Sequence, residues 1–158
     1  MNKTELFLLL KKIISKIEKT SINWYIDGSA GLLISGISVK VNDLDITTDK
    51  KGIEIFKDLF KEFIVKSEII IKDLPNNNTE KIDSLILSID NFEIECNYYI
   101  DRSDDIFKYV KKVTPQDLDV NILPLDKMLD FYIKINRTQK IKIIKDFLAS
   151  TDKKDNSF

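Results

Sequence analysis

Two acidic residues, Asp43 and Asp45, lie one residue apart in a segment, Val39 to Thr47, whose composition predicts a β-strand. Side chains at positions i and i+2 of a strand point to the same face of a sheet, so these two carboxylates would project side by side. Neighbouring negative charges repel, and each raises the pKa of the other unless a cation lies between them. The spacing therefore predicts a site for a divalent metal ion.

A Gly-Ser pair stands shortly before this strand. Gly28 and Ser29 follow a short predicted strand, Asn23 to Ile26, and precede a short predicted helix, Ala30 to Ile34. Backbone N–H groups at such a turn, together with a hydroxyl, are suited to binding a phosphate. A phosphate site next to metal-binding carboxylates indicates chemistry on a nucleotide.

A third carboxylate is expected from a neighbouring strand, because Mg²⁺ prefers oxygen ligands and two or three carboxylates are enough to hold it. The predicted strand Phe92 to Tyr99 offers Glu93 and Glu95, which share one face while Ile94 and Cys96 share the other. Periodicity alone does not choose between the two glutamates, so both remain candidates.

The composition excludes several classes of site. The 158 residues include 25 Lys and Arg against 26 Asp and Glu, so no broad basic surface indicates an extended nucleic-acid or membrane partner. The absence of histidine excludes histidine acid–base catalysis, Ser-His-Asp triads and histidine-bound zinc. The single cysteine, Cys96, cannot form an internal disulfide, and its apolar surroundings predict a buried thiol.

The chain has no apolar run that approaches the ~20 residues of a membrane-spanning helix. Its N-terminus also has no apolar region followed by a cleavage site, as a signal peptide would. We therefore expect a cytoplasmic protein with no membrane partner.

The elements that must position the candidate residues follow from the apolar patterns. Apolar residues at helical spacing predict helices, β-branched runs predict strands, and Asp90-Asn91 predicts a hairpin turn. The pattern is typical of an α+β fold, a mixed β-sheet with helices packed on it, in one domain over residues 1–150 followed by a polar tail over 151–158. Helices are predicted over 4–19, 30–34, 53–63, 105–111, 125–136 and 139–149, and strands over 23–26, 39–47, 64–72, 82–89, 92–99 and 120–123.

The motifs together resemble those of the DNA polymerase β-type nucleotidyltransferase superfamily, in particular its small single-domain, minimal members. The likeness begins with Gly28-Ser29, a gap of 13 residues and then Asp43-Leu44-Asp45. It continues through Thr48-Asp49, the strand Ile94-Glu95-Cys96, and Arg137-Thr138-Gln139-Lys140 on the last helical hairpin, and so covers residues 24–148.

This resemblance implies a Mg²⁺-dependent transfer of a nucleoside monophosphate from an NTP such as ATP to an acceptor, with release of pyrophosphate. It favours Glu95 over Glu93 as the third carboxylate. The resemblance assigns Asp43, Asp45 and Glu95 to one or two Mg²⁺ ions and to catalysis, and Gly28, Ser29, Arg137 and Lys140 to the phosphates, with Lys40 as a further phosphate contact. Arg137 and Lys140, at i and i+3, are expected on one face of a helix.

Two residues depart from the superfamily pattern. Asp27 stands where an apolar residue usually precedes the glycine, so a further negative charge lies beside the phosphate site. Glu95 replaces the more common aspartate and extends the side chain by one methylene. Both departures bear on whether catalysis is efficient.

Several functions remain open at this level. The leading one is an enzyme that modifies a hydroxyl of a small molecule or protein, with an acceptor pocket built from the loop at residues 73–80 and the last two helices. The alternative is a nucleotide-binding or regulatory module with little turnover, such as a component of a toxin–antitoxin pair, which implies a protein partner. A plain structural domain would not explain the density of the motifs.

Overall fold

The computed structural model describes the backbone of residues 1–155 and the side chains of residues 1–153. Its elements are the helices α1 (Lys3–Ile17), α2 (Gly28–Ile34), α3 (Lys50–Leu59), α4 (Leu125–Lys134) and α5 (Thr138–Asp155), and the strands β1 (Trp24–Ile26), β2 (Leu44–Thr48), β3 (Ile64–Asp73), β4 (Thr79–Ile89), β5 (Phe92–Tyr99), β6 (Lys111–Val113) and β7 (Val120–Ile122).

The seven strands form one mixed sheet in the order β3-β4-β5-β2-β1-β7-β6. Strand β2 lies near its centre, parallel to β5 and antiparallel to β1, and β1 is parallel to β7. The remaining neighbours pair antiparallel. This arrangement confirms the predicted α+β class.

Helices cover both faces of the sheet. On one face, α1 buries an apolar stripe that includes Leu6, Leu10 and Ile13, and these side chains join Phe56 of α3 in the larger core cluster. A second cluster, which includes Met128 of α4 and Ile144 of α5, forms on the other side of the fold. Burial of such apolar stripes supplies most of the stability of helices of this length.

The β4–β5 hairpin turns where the sequence predicts. Asp90 and Asn91 adopt φ values of 53° and 65°, and Ile89 pairs with Phe92 on either side of them. Two-residue turns with positive φ match the twist of the flanking strands, and Asn and Asp tolerate this conformation. The hairpin therefore sets the register that carries β5 to the centre of the sheet.

Some predicted boundaries are wrong. Strand β2 begins at Leu44 rather than at Val39, and the carbonyl of Val41 accepts a hydrogen bond from the Met1 amino group, 3.0 Å away, instead of from a neighbouring strand. The helix predicted over 105–111 is a 3₁₀ helix over Asp104–Tyr109. The short strand β6 was not predicted, because its sequence Lys-Lys-Val has little apolar pattern.

The last helix also runs further than predicted. Helix α5 continues through Asp155 instead of ending at Ala149, and no glycine or proline interrupts its sequence. The polar tail predicted over 151–158 thus includes helical residues, and 156–158 lie outside the described residues. Cys96 is buried in the core, as predicted. Within the described part of the chain, no helix is both long and apolar enough to cross a membrane.

Candidate active site

Asp45 and Glu95 are direct neighbours across two parallel strands. The β2–β5 register pairs their Cα positions, and it pairs Thr47 with Asn97 two residues further along. Side chains of paired residues lie on the same face of a sheet. The two carboxylates therefore face the same cleft, which has a volume of about 360 Å³.

The cleft brings together every residue that the family resemblance assigns to the site. Its lining includes Gly28, Ser29, Lys40, Asp43, Asp45, Glu95, Arg137 and Lys140. Asp43 stands one residue before β2 and not within it, but its side chain still reaches the cleft. Glu93, the other candidate for the third carboxylate, is exposed and does not line the cleft.

Gly28 is placed against the carboxylate of Asp45. A Cβ atom at Gly28 would stand 1.9 Å from Oδ2 of Asp45, and the residue has φ +60°, a conformation that side chains disfavour. Only glycine meets both conditions without displacing a neighbour. The start of α2 can therefore approach the carboxylate strand closely.

Asp27, the unusual residue before the glycine, is the N-cap of α2. Its Oδ1 accepts a hydrogen bond from the N–H of Gly28 at 2.8 Å, and its Oδ2 accepts a longer one from the hydroxyl of Thr47 at 3.4 Å. Burial raises the pKa of this carboxyl, while the Gly28 hydrogen bond acts in the opposite direction. Asp27 thus uses the Gly28 N–H that the sequence assigns to a phosphate.

The cleft has a strongly negative centre at Asp45. Burial raises the pKa of this carboxyl to about 7, and the charges of Asp43, Asp27 and Glu95 act in the same direction, whereas Lys140 acts against them. A cation among these carboxylates would relieve both the repulsion and the cost of burial. The electrostatics therefore fit a divalent metal ion.

Asn97 is a residue of the cleft that sequence reasoning missed. Its Nδ2 donates a hydrogen bond to Oε1 of Glu95 at 2.9 Å. Its Oδ1 is buried and has no hydrogen-bond partner among the described residues. Asn97 lies two positions after Glu95 on the same strand, so the strand periodicity that identified Glu95 would also have found it.

The donor set of the cleft fits Mg²⁺ in its chemistry. Asp43, Asp45 and Glu95 supply carboxylate oxygens, and the buried Oδ1 of Asn97 is a further oxygen without a partner. No three Asp, Glu or Cys side chains in the described part of the chain already surround one point as a metal site requires. Metal binding would therefore have to draw these carboxylates together.

Basic side chains also line the cleft. Lys40 and Arg137 are exposed and Lys140 is half-buried, and Lys72 of β3, which sequence reasoning did not select, joins them. Arg137 stands one residue before α5, so it and Lys140 do not occupy one helix face as predicted. Its carbonyl instead accepts the first backbone hydrogen bond of the helix, from Ile141.

A second and larger cavity, of about 600 Å³, adjoins the carboxylate cleft. The two share part of their lining, including Asp27, Thr47 and Tyr99. Much of the remaining wall consists of apolar and aromatic side chains, including Tyr25, Phe107, Leu123, Met128 and Phe131.

An arginine is held at the boundary between the two cavities. The Arg102 guanidinium lies 3.5 Å from the ring centre of Tyr99 and 4.5 Å from that of Phe131. It also makes a bidentate ion pair with Glu80, in which Nε donates to Oε1 and Nη2 donates to Oε2 at 2.9 Å. These contacts hold the guanidinium in one orientation.

Comparison with known proteins gives matches in sequence and in structure. The sequence profile of the aminoglycoside-2''-adenylyltransferase family matches residues 9–138. No curated protein sequence matches the chain significantly.

Solved structures show the same fold. A Thermotoga maritima protein described as a nucleotidyltransferase, TM1012, has a TM-score of 0.72 at 23% identity, over 95% of this chain and 96% of that one. The antibiotic-resistance factor ANT(2'')-Ia, in complex with adenylyl-2''-tobramycin, has a TM-score of 0.59 at 10% identity, over 94% of this chain and 92% of that one. These likenesses confirm the nucleotidyltransferase-like fold expected from the sequence.

Proposed function

Because this chain belongs to the aminoglycoside-2''-adenylyltransferase family, we propose that it is a Mg²⁺-dependent enzyme that transfers a nucleoside monophosphate from an NTP to an acceptor hydroxyl and releases pyrophosphate. The pairing of Asp45 with Glu95, with Gly28 packed against Asp45, is the observation that carries this proposal. It places carboxylates beside the start of a helix in one cleft, which also receives Lys140.

The three carboxylates and Asn97 have different roles in the proposed site. Asp43, Asp45 and Glu95 hold the metal, and Asn97 orients Glu95 through the hydrogen bond to Oε1. Bound Mg²⁺ would neutralise charge on these carboxylates and on the phosphates, and would make the acceptor hydroxyl easier to deprotonate.

The phosphates of the nucleotide contact the start of α2 and the basic side chains of the cleft. The Gly28 N–H is bonded to Asp27, so the contribution of Gly28 is its lack of a side chain, while Ser29 provides a hydroxyl and an N–H. Backbone N–H groups in the first turn of a helix have no partner within the helix. Lys40, Arg137 and Lys140 supply positive charge towards the triphosphate.

Transfer is a substitution at the α-phosphorus of the nucleotide. The acceptor oxygen forms a bond to this phosphorus while the bond to the oxygen that bridges to the β-phosphate breaks, and pyrophosphate leaves with the electron pair of that bond. Glu95 receives the proton of the acceptor hydroxyl. The carboxylates thus position the reacting groups and take up one proton.

The acceptor enters the larger cavity. This space of about 600 Å³ adjoins the carboxylates, and its aromatic walls suit the ring faces of a small molecule. The structural relative ANT(2'')-Ia is in complex with adenylyl-2''-tobramycin. We therefore propose a small hydroxyl-bearing acceptor, and aminoglycosides are the first class to test.

Calorimetric titration with ATP, GTP, CTP and UTP in the presence of Mg²⁺ tests the nucleotide site. We expect Mg²⁺-dependent binding of at least one NTP, and loss of this binding in the double variant Asp43→Asn/Asp45→Asn. The nucleotide identified in this way then goes into a pyrophosphate-release assay with a panel of aminoglycosides. Full binding by the double variant would contradict the assignment of these carboxylates.

A further inference from the structure

Strand β3 forms one edge of the sheet and is long for an edge strand. It spans ten residues, Ile64–Asp73, and pairs with β4 along most of its length. Its other side faces away from the sheet, because β3 is last in the strand order. A long edge strand presents N–H and C=O groups that can pair with another chain.

Apolar side chains are exposed along this edge. Ile69 and Ile71 have exposed fractions of 57% and 71%, and Val65, near an irregularity in the β3–β4 register, has 67%. Ile69 and Ile71 are two residues apart and so share one face of the sheet. Exposed apolar side chains on an unpaired edge are typical of a surface that a partner covers.

The other face of β3 carries alternating charges around an isoleucine. Glu68 and Lys72 flank Ile70 at two residues on either side, and both charged residues are exposed. In an antiparallel pairing of two copies of β3 about a two-fold axis at Ile70, each residue 70−n faces residue 70+n of the other copy. Glu68 of each chain then faces Lys72 of the other.

The same register completes the apolar face. With the axis at Ile70, Ile69 of each copy faces Ile71 of the other, so four isoleucines form one cluster. Cross-strand pairs of opposite charge and of β-branched side chains are those that stabilise antiparallel sheets.

Neighbouring registers lack this match. An axis at residue 69 would place Lys66 opposite Lys72, and an axis at residue 68 would place Glu68 opposite itself. Moving the axis to residue 71 would place Ile69 opposite Asp73. Registers centred nearer the start of the strand meet the irregularity between Ile64 and Lys66. The sequence of β3 is therefore self-complementary in one register.

We propose that β3 is a docking surface for a second copy of this chain. Two sheets join edge to edge in an antiparallel β3–β3 pair centred on Ile70, which is an isologous interface with two-fold symmetry. The pair satisfies the outward backbone groups, covers Ile69 and Ile71, and forms two Glu68–Lys72 ion pairs. This proposal is independent of the reaction that the enzyme performs.

Charge reversal at these positions gives a sharp test, with oligomeric state measured by sedimentation equilibrium. The wild-type protein is expected to be a dimer. Glu68→Lys places two lysines opposite each other, and Lys72→Glu places two glutamates opposite each other. The dissociation constant of the dimer should therefore rise at least about tenfold in each single variant. An equimolar mixture of the two variants should form a dimer again, because every facing pair in the mixed dimer has opposite charges.

The double reversal Glu68→Lys/Lys72→Glu should likewise dimerise as the wild type does. Glu18→Lys and Lys19→Glu, exposed at the end of α1, make the same charge changes away from the edge and serve as controls. Circular dichroism verifies that each variant is folded. Oligomeric state is the readout, since Lys72 also lines the carboxylate cleft and its change can affect activity.

Two outcomes would overturn the proposal. One is a wild-type protein that sediments as a monomer at every concentration reached. The other is a dimer that neither single reversal weakens, or that the mixture of the two variants fails to restore, since another surface would then hold it together.

Discussion

A methyl group on Gly28 would stand 1.9 Å from Oδ2 of Asp45, so the helix that begins at this glycine and the strand that carries this carboxylate are in direct contact. The contact couples the part of the cleft proposed to bind phosphate to the part proposed to bind the metal. It also makes the glycine a point at which one substitution affects both the fold and the site.

We expect Gly28→Ala to lower the free energy of unfolding by about 1–2 kcal/mol, because alanine is strained at positive φ, and to abolish nucleotide binding because Asp45 is displaced. Gly36→Ala is a matched control. Gly36 has φ +100°, and its added Cβ would make ordinary contacts of 3.5 Å and 3.9 Å with Phe147. Both variants should melt earlier, but only Gly28→Ala should lose nucleotide binding in calorimetry. Equal binding by the two variants would disprove the coupling.

The raised pKa of Asp45 makes stability depend on pH. Since burial and neighbouring carboxylates raise this pKa from its ordinary value of 3.8 to about 7, the folded protein binds more protons than the unfolded chain between these two pH values. The free energy of unfolding of the metal-free protein should therefore fall as pH rises from about 4 to about 7. Above pH 7 this contribution should stay at its low value.

Asp45→Asn removes the ionisable group and should cancel this part of the pH dependence. At pH 8 without metal, the variant should be more stable than the wild type by on the order of 2 kcal/mol, and at pH 4 the two should be nearly equal. Urea denaturation at both pH values measures the difference. Asp58→Asn, at an exposed position of α3, serves as the control. A variant less stable than the wild type at pH 8 would refute the repulsion that we infer around Asp45.

The two glutamates of β5 should differ sharply in their importance. Glu95 faces the cleft opposite Asp45, whereas Glu93 pairs with Ser88 of β4 and lies outside the cleft lining. We expect Glu95→Gln to slow pyrophosphate release by roughly 100-fold or more, and Glu93→Gln to leave it near the wild-type rate. Steady-state assays of both variants, with melting temperatures as a check of folding, decide the matter. The reverse order of effects would move the third carboxylate to Glu93.

The sequence was sufficient to name most of the polar residues that the structure gathers in one cleft. The Asp43–Asp45 spacing, the Gly28-Ser29 turn and the alternation along β5 are local patterns, and local patterns follow from the period of a strand. They do not depend on how the strands are ordered, so these residues could be named before the fold was known.

The choice between Glu93 and Glu95 could not be made from periodicity. It depends on the pairing of β2 with β5, two strands whose register is set by contacts fifty residues apart in the chain and by the Asp90-Asn91 turn. The family resemblance favoured Glu95, and the register places that residue opposite Asp45.

The larger cavity was beyond sequence reasoning for a similar reason. Its walls come from the ends of several strands, from the 3₁₀ helix over Asp104–Tyr109 and from α4, which no local pattern links. Of the segments that the sequence proposes for an acceptor pocket, the loop at 73–80 contributes Leu74 and Glu80 to this cavity and α4 contributes Phe131, while no residue of α5 is in its lining among the described residues. That an acceptor binds here remains a proposal.

The ion pair between Arg102 and Glu80 should be essential for the shape of this cavity. The side chain of Glu80 is only 9% exposed, so removal of Arg102 leaves a nearly buried charge without its partner. We expect Arg102→Met, which keeps the apolar contact with Tyr99 and Phe131, to lower the free energy of unfolding by about 2–4 kcal/mol.

The double variant Arg102→Met/Glu80→Gln removes the buried charge as well, so it should recover part of the stability that Arg102→Met alone loses. Urea denaturation of the wild type, Arg102→Met, Glu80→Gln and the double variant gives a double-mutant cycle, which measures the energy of the ion pair. If Arg102→Met were as stable as the wild type, the ion pair would not hold the wall of the cavity.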